Sequence, residues 1–382
     1  MTSEHSAPEA AGQPSLIAFV RRERVLGIAI VTSIIAFLFE DRLFHDMGHP
    51  VKLAFLLAWF FFVILASAVG VVRHAEAVSA RLGEPFGTLV LTLSITGIEV
   101  LSITAVMLNG ENNPALVRDT LFSVVMIIMG GMLGISLLLG ALRHRELTFN
   151  LQGANAYLGV IIPLAVFSLI LPNFTRSTEG PTLSDLQKVM VGLMAAGLYF
   201  IFLMMQMGRH RGYFSQPLEQ DEEHADEHEK PSGPLWLSVI LLFCYILPVV
   251  YLVEQLAKPI DYIIETRGAP GVIGGVLMAI LVTTPEGIGG VRAALNKRLQ
   301  SSVNIFLGSV LATIGLTVPI MLAVSSALGL NLQLGLAPTD AMLLVLILVV
   351  SIVTFSSGRT NLLQGAVHFL LFVAFLLLIY RG

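Results

Sequence analysis

The sequence predicts an all-α polytopic membrane protein of about eleven transmembrane helices, on three observations. The 382 residues are 55% hydrophobic and only 13% charged, with a mean hydropathy of +0.83, whereas soluble domains carry about 25% charged residues. Runs of about 20 apolar residues recur along the whole chain, and each has the length of a membrane-spanning helix. These runs do not alternate apolar with polar, which excludes the roughly ten-residue dyad pattern of a transmembrane barrel.

The spans expected in order are 25–40, 51–72, 86–109, 118–141, 154–172, 187–207, 235–255, 269–291, 301–326, 339–356 and 362–380. Residues 1–15, MTSEHSAPEAAGQPS, have the composition of a disordered tail. Arg21, Arg22 and Arg24 precede the first span and no small-residue cleavage site follows it, so it reads as a retained helix. The single cysteine, Cys244, excludes an internal disulfide and a cysteine-based metal site. The net charge of −4 selects no partner, since most charges fall in loops. The partner expected from this composition is the lipid bilayer, with no nucleic acid and no cofactor.

Loop charges set the orientation. With the N-terminus cytoplasmic, inside loops hold 14 of the 22 Lys and Arg residues, among them Arg143, Arg145, Arg209, Arg211, Arg292, Lys297 and Arg298. That excess is the positive-inside pattern.

One long polar insertion separates spans six and seven. It reads SQPLEQDEEHADEHEK over 215–230, with seven acids and with His224 and His228 four residues apart. A divalent-ion sensing segment is one reading; a solvated linker between two halves is the one that charge runs usually support. The insertion divides the chain into a tail (1–15), an extra first helix (16–50), a first five-helix repeat (51–210), an acidic cytoplasmic loop (211–233) and a second five-helix repeat (234–382). Five is odd, so equivalent halves would run in opposite senses, as in many secondary transporters.

A sequence match supports that division. Span three contains TGIEVLSITAVMLN and span eight contains TTPEGIGGVRAALN. Each places Thr three residues before a Glu (Thr96 and Glu99, Thr283 and Glu286) and Leu-Asn nine and ten residues after it. Each Glu is the lone charge of its span. A lone carboxylate at membrane depth costs several kcal/mol unless it is protonated, paired, or facing a water-filled cavity. A protonated acid donating one hydrogen bond is the plain alternative. A repeat-related pair instead points to a proton- and cation-binding site at the repeat interface.

The backbone beside the acids carries the second expectation. Pro285 removes a donor, while Gly97 and Gly287 loosen the chain, so interrupted helices are expected at the site, with freed carbonyls as extra cation ligands. Close helix packing by small residues is the plain reading of the glycines. Thr96, Thr283, Asn304 and Ser309 are the expected supporting ligands, because their oxygens suit a hard cation. Span nine also carries Thr313, and span four is rich in glycine at Gly130, Gly131 and Gly134. Glu76, Glu254 and Asp119 are expected at interfaces, and His368 as a packed helix residue.

The stretch PEGIGGVRAALNKRLQSSVNIFLGSVLATIGLTVP, 285–319, resembles the second repeat of bacterial ChaA-type calcium/proton antiporters, members of the calcium/cation antiporter superfamily. GIEVLSITAVMLNGENNPALVRDTLF with the following GALRHRE is similar to the first repeat. The resemblance implies one added helix before two inverted five-helix repeats and alternating access around Glu99 and Glu286. It also implies residence in a bacterial cytoplasmic membrane. Many members carry Gly-Asn-x-x-Glu, where this chain has Thr96 and Thr283 in place of the Asn, and Ile95 and Val282 before them. The expected activity is export of Ca2+ in exchange for H+; sodium or potassium exchange at the same site is the nearer alternative. An intramembrane enzyme or a channel is the more distant one. No paired aspartates, Ser with His, or HExxH stands at membrane depth.

Overall fold

Eleven apolar helices stand where hydropathy places them. They are α1 (Arg24–Leu38), α2 (Pro50–Leu82), α3 (Phe86–Asn109), α4 (Leu116–His144), α5 (Leu151–Asn173), α6 (Asp185–Met207), α7 (Leu235–Arg267), α8 (Val272–Leu295), α9 (Leu299–Leu328), α10 (Pro338–Thr354) and α11 (Leu362–Arg381). The computed structural model describes residues 16–83, 86–109, 113–144, 146–178, 180–208, 210–214 and 234–381. The expected tail, 1–15, and the acidic segment, 215–230, lie outside the described residues. Among the described residues, nine helices are long and apolar enough to cross a membrane; α1 and α10 are shorter apolar helices.

After the extra helix α1, the two sets of five match in their particulars. Helices α2 and α7 have 33 residues each, and each ends at a glycine with positive φ, Gly83 (66°) and Gly268 (69°). A positive φ there is open to glycine without a Cβ penalty, and Gly268 forms a left-handed helix cap. Helices α3 and α8 have 24 residues each. Helices α4 and α9 are each interrupted by a π-helical segment, Met126–Met132 and Thr313–Thr317. The partners α2 and α7 run antiparallel. Arg267 at the end of α7 donates to the Gly48 carbonyl just before α2, while Tyr245 near the start of α7 packs on Gly70 deep in α2.

Local signals start the helices. Ser184 and Gln187 form a capping box at α6, and the Asn150 side chain accepts from the Gln152 and Gly153 amides at α5. Helices α2 and α7 run about ten residues past their expected apolar limits. Those extra turns carry Arg73, His74 and Glu76 in α2 and Lys258, Asp261 and Glu265 in α7, so hydropathy alone ended the spans early.

Helix α1 is fastened to the α2–α7 pair by one acid. Glu23, at the start of α1, accepts from Arg73 (2.5 Å) and Tyr245 (2.9 Å), and His74 Nε2 lies 3.3 Å from the same oxygen. Burial pushes the Glu23 carboxyl up, but the Tyr245 hydroxyl, Arg73 and His74 outweigh it and hold it below the usual carboxylate range.

Helix α4 is the most enclosed span, with 83% of its apolar window buried. At one end of the bundle the loop after α4 pairs with the loop after α10, as antiparallel strands β1 (Leu147–Thr148) and β2 (Arg359–Thr360). Asp119 stands in the first turn of α4. It is buried in α4 and paired with Arg118 at 2.8 Å, which also donates to the Gly335 carbonyl.

Candidate functional site

Glu99 from α3 and Glu286 from α8 line one cavity of about 290 Å³. Its wall also takes Glu76 from α2, Tyr157 from α5, Tyr199 and Gln206 from α6, and Asn304, Ser309 and Thr313 from α9. From the acids, the lining extends toward the end of the bundle that holds β1 and β2.

Helix α9 serves both acids. Ser309, Thr313 and Thr317 recur every four residues and form one hydroxyl stripe. The Ser309 hydroxyl donates to Glu286 Oε2. The Thr313 and Thr317 hydroxyls, at the two ends of the π segment, donate to Glu99 Oε2 at 3.3 and 3.0 Å. Segments of π helix inside α-helices concentrate at functional sites, because the wider winding re-aims side chains. The second oxygen, Glu99 Oε1, is buried without a hydrogen-bond partner.

The supporting ligands divide. Ser309 and Thr96 line the cavity, and Thr96 is buried. Asn304 lines it too, but its amide is engaged: Nδ2 donates to the Phe214 carbonyl at 2.7 Å and Oδ1 accepts from Gln300 at 2.9 Å. Thr283 is fully buried outside the cavity lining, and its hydroxyl donates to the Ala279 carbonyl of its own helix at 2.7 Å.

The expected helix breaks are corrected by the structure. Helix α8 runs unbroken through Pro285 and Gly287, and α3 through Gly97. The proline leaves one carbonyl, that of Leu281, without its i+4 amide donor. Thr283 and Thr284 donate their hydroxyls to the carbonyls of Ala279 and Ile280, in the turn just before it. Gly287 serves packing, since a Cβ there would lie 2.5 Å from Met132 Sδ of α4. Gly290 does the same under Phe306, at 2.3 Å. Around Gly97 there is open space. Among the described residues, π-helical interruptions lie in α4 and α9, one helix further along each set, and at Val166–Ile170 of α5.

Sequence reasoning passed over Thr317, Glu76, Tyr157, Tyr199 and Gln206. The four-residue spacing from Ser309 to Thr317 was a legible signal. Glu76 sits beyond the apolar run, so composition places it at a span end; the length of α2 carries it into the cavity wall. Among the described residues no group of three or more His, Cys, Asp and Glu side chains gathers at one point.

Eleven helices with two membrane-depth acids on one cavity define a secondary transporter of cations. The chain belongs to the sodium/calcium exchanger protein family, which matches residues 52–208 and 237–381. It is 44% identical over 311 residues to the putative ionic transporter y4hA of Sinorhizobium fredii, covering 80% of this chain and 83% of that one. It is 39% identical over 320 residues to the sodium-potassium/proton antiporter ChaA of Escherichia coli, covering 83% and 86%. The fold is similar to that of native YfkE, with a TM-score of 0.72 at 19% identity over 94% of this chain and 99% of that one. It is also similar to the H+/Ca2+ exchanger CAX, with a TM-score of 0.66 at 13% identity over 93% and 88%. The family expected from the two Glu stretches is therefore the one found. The protein is a cation/proton antiporter, a secondary transporter and not an enzyme.

Proposed function

We propose that this antiporter exports Ca2+ in exchange for H+ by alternating access around Glu99 and Glu286. The observation that carries the reading is that both carboxylates face one cavity and are bridged by the hydroxyls of a single helix. Two ionised carboxylates neutralise one divalent cation or, in turn, take up two protons. Calcium takes six to eight oxygens, and Ser309, Thr96, Thr313 and water would supply those beyond the carboxylates. The unpartnered Oε1 of Glu99 suits an acid that waits for a proton or a cation.

The loop charges make the end that carries β1 and β2 cytoplasmic. The cavity runs toward that end, so the conformation described is inward-facing. The matched helices support repeat limits of 51–210 and 234–382, with α1 as an addition. A bacterial cytoplasmic membrane is the proposed location.

A sodium or potassium substrate at the same site is favoured by the relative from Escherichia coli, named a sodium-potassium/proton antiporter. Everted vesicles with a pH-sensitive dye decide between the ions through the half-saturating concentrations of Ca2+, Na+ and K+. Calcium is expected to be effective at the lowest concentration; a lower value for either monovalent ion overturns the calcium reading. Glu99→Gln and Glu286→Gln should each abolish exchange, and full exchange in either variant overturns the site.

A further inference from the structure

His368 of α11 is fully buried among apolar helices and lies outside the cavity lining. Both of its ring nitrogens are engaged. Nδ1 is 2.7 Å from the Met129 carbonyl and Nε2 is 3.0 Å from the Thr354 hydroxyl. A carbonyl only accepts, so Nδ1 carries a proton and donates to Met129.

Met129 lies inside the π segment of α4. The Leu133 amide bonds back to the carbonyls of Ile128 and Gly130 and passes over that of Met129. The carbonyl that Leu133 passes over is the one His368 reaches. The fit is close on both sides. A Cβ on Gly134 would lie 2.7 Å from the Phe369 amide nitrogen, and one on Gly365 would lie 2.6 Å from that of Leu138, so α4 and α11 cross with backbones nearly touching. Three residues beyond Met129, Met132 packs onto Gly287, next to Glu286.

We propose that His368 is a positioning residue for the transported cation: its Nδ1–H holds the π turn of α4 at Met129, and that turn sets Glu286 through Met132 and Gly287. The inference rests on Glu286 being a cation ligand. The chain of contacts is short and rigid. A hydrogen bond fixes the turn, a thioether fills the space over a glycine, and the acid is the next residue. Losing the hydrogen bond removes the partner that His368 gives the Met129 carbonyl, and the π turn then has a reason to rewind. Rewinding by one residue swings Met132 off Gly287 and moves Glu286 relative to Ser309 and Glu99.

The test is cation-dependent proton movement in vesicles, compared at equal amounts of folded protein. Asn places its amide nitrogen near the position of Nδ1, and Gln places its own near Nε2. His368→Asn should therefore keep the wild-type half-saturating Ca2+ concentration. His368→Ala and His368→Gln should raise it about fivefold with the maximal rate held within about twofold, the pattern of weakened ion binding from one lost hydrogen bond. Met132→Ala should raise it too, and combining it with His368→Ala should add little, because both changes act on one path. Equal loss in Asn and Gln, wild-type values in all three His368 variants, or strict additivity with Met132→Ala overturns the proposal. Should His368→Ala fail to fold, the Asn–Gln contrast decides alone. Full exchange in Glu286→Gln defeats the site reading instead; loss there beside unaffected His368 variants defeats only this inference.

Discussion

Thr317 donates its hydroxyl to Glu99 at 3.0 Å across 218 residues of sequence, joining the acid of the first helix set to the ninth helix. Thr313 reaches the same oxygen, and Ser309 on the same stripe reaches Glu286. One helix of the second set thus bridges both acids. A shift of α9 moves the donors of both carboxylates at once, which is a direct way to couple cation release to proton uptake.

That bridge gives a graded prediction. Hydroxyl donors favour the ionised carboxylate, so without them protons compete better against the cation. Thr317→Val should raise the half-saturating cation concentration about fivefold, and the double Thr313→Val, Thr317→Val variant should raise it further. The loss should be larger near neutral pH than in alkaline buffer. Ser309→Ala should behave alike and Ser309→Thr should keep function. Vesicle exchange assays at two pH values measure this; a uniform fall in maximal rate at unchanged affinity would argue against the bridge.

The glycines of the two Glu segments should respond oppositely to a methyl group. Gly290→Ala drives a Cβ into the Phe306 ring, where 2.3 Å is available, and should cost about 1–3 kcal/mol. Gly97→Ala meets open space and should be neutral or stabilising by up to about 1 kcal/mol, since it lies inside a continuous helix. Thermal unfolding of the purified protein in detergent compares them. A destabilised Gly97→Ala would revive the view that Gly97 interrupts its helix.

Glu23 makes stability depend on pH. Its carboxyl is held below the usual range in the folded protein, so it binds fewer protons there than in the unfolded chain. That contribution is fully present above the unfolded value of about 4.3. It fades as pH falls through that value and the lower folded one. Glu23→Gln should lower the melting temperature at neutral pH, and the gap from wild type should close in acid. A gap that stays constant with pH would remove Glu23 as the source.

Much of this was legible in the sequence. Apolar runs gave all eleven helices, because a span must satisfy its own backbone and so writes its length into composition. Isolation and matched neighbours singled out Glu99 and Glu286, because a lone charge at membrane depth needs a reason. The stripe from Ser309 to Thr317 was present in the spacing, but spacing does not say which acid each hydroxyl meets. Pro285 suggested a break that α8 does not have, because one missing donor is a local loss that a packed helix absorbs.

Tertiary structure alone decided the rest. It wound π turns into α4 and α9, where Phe372 packs closely on Gly130 and Tyr199 on Gly315. It extended α2 until Glu76 reached the cavity, turned the amide of Asn304 toward Phe214, and withdrew Thr283 from the site. The physical reason is common to all four. Hydropathy and local spacing fix which residues lie in the membrane and on which helix. The face each side chain presents depends on the neighbouring helix that packs against it, and that neighbour comes from far along the chain.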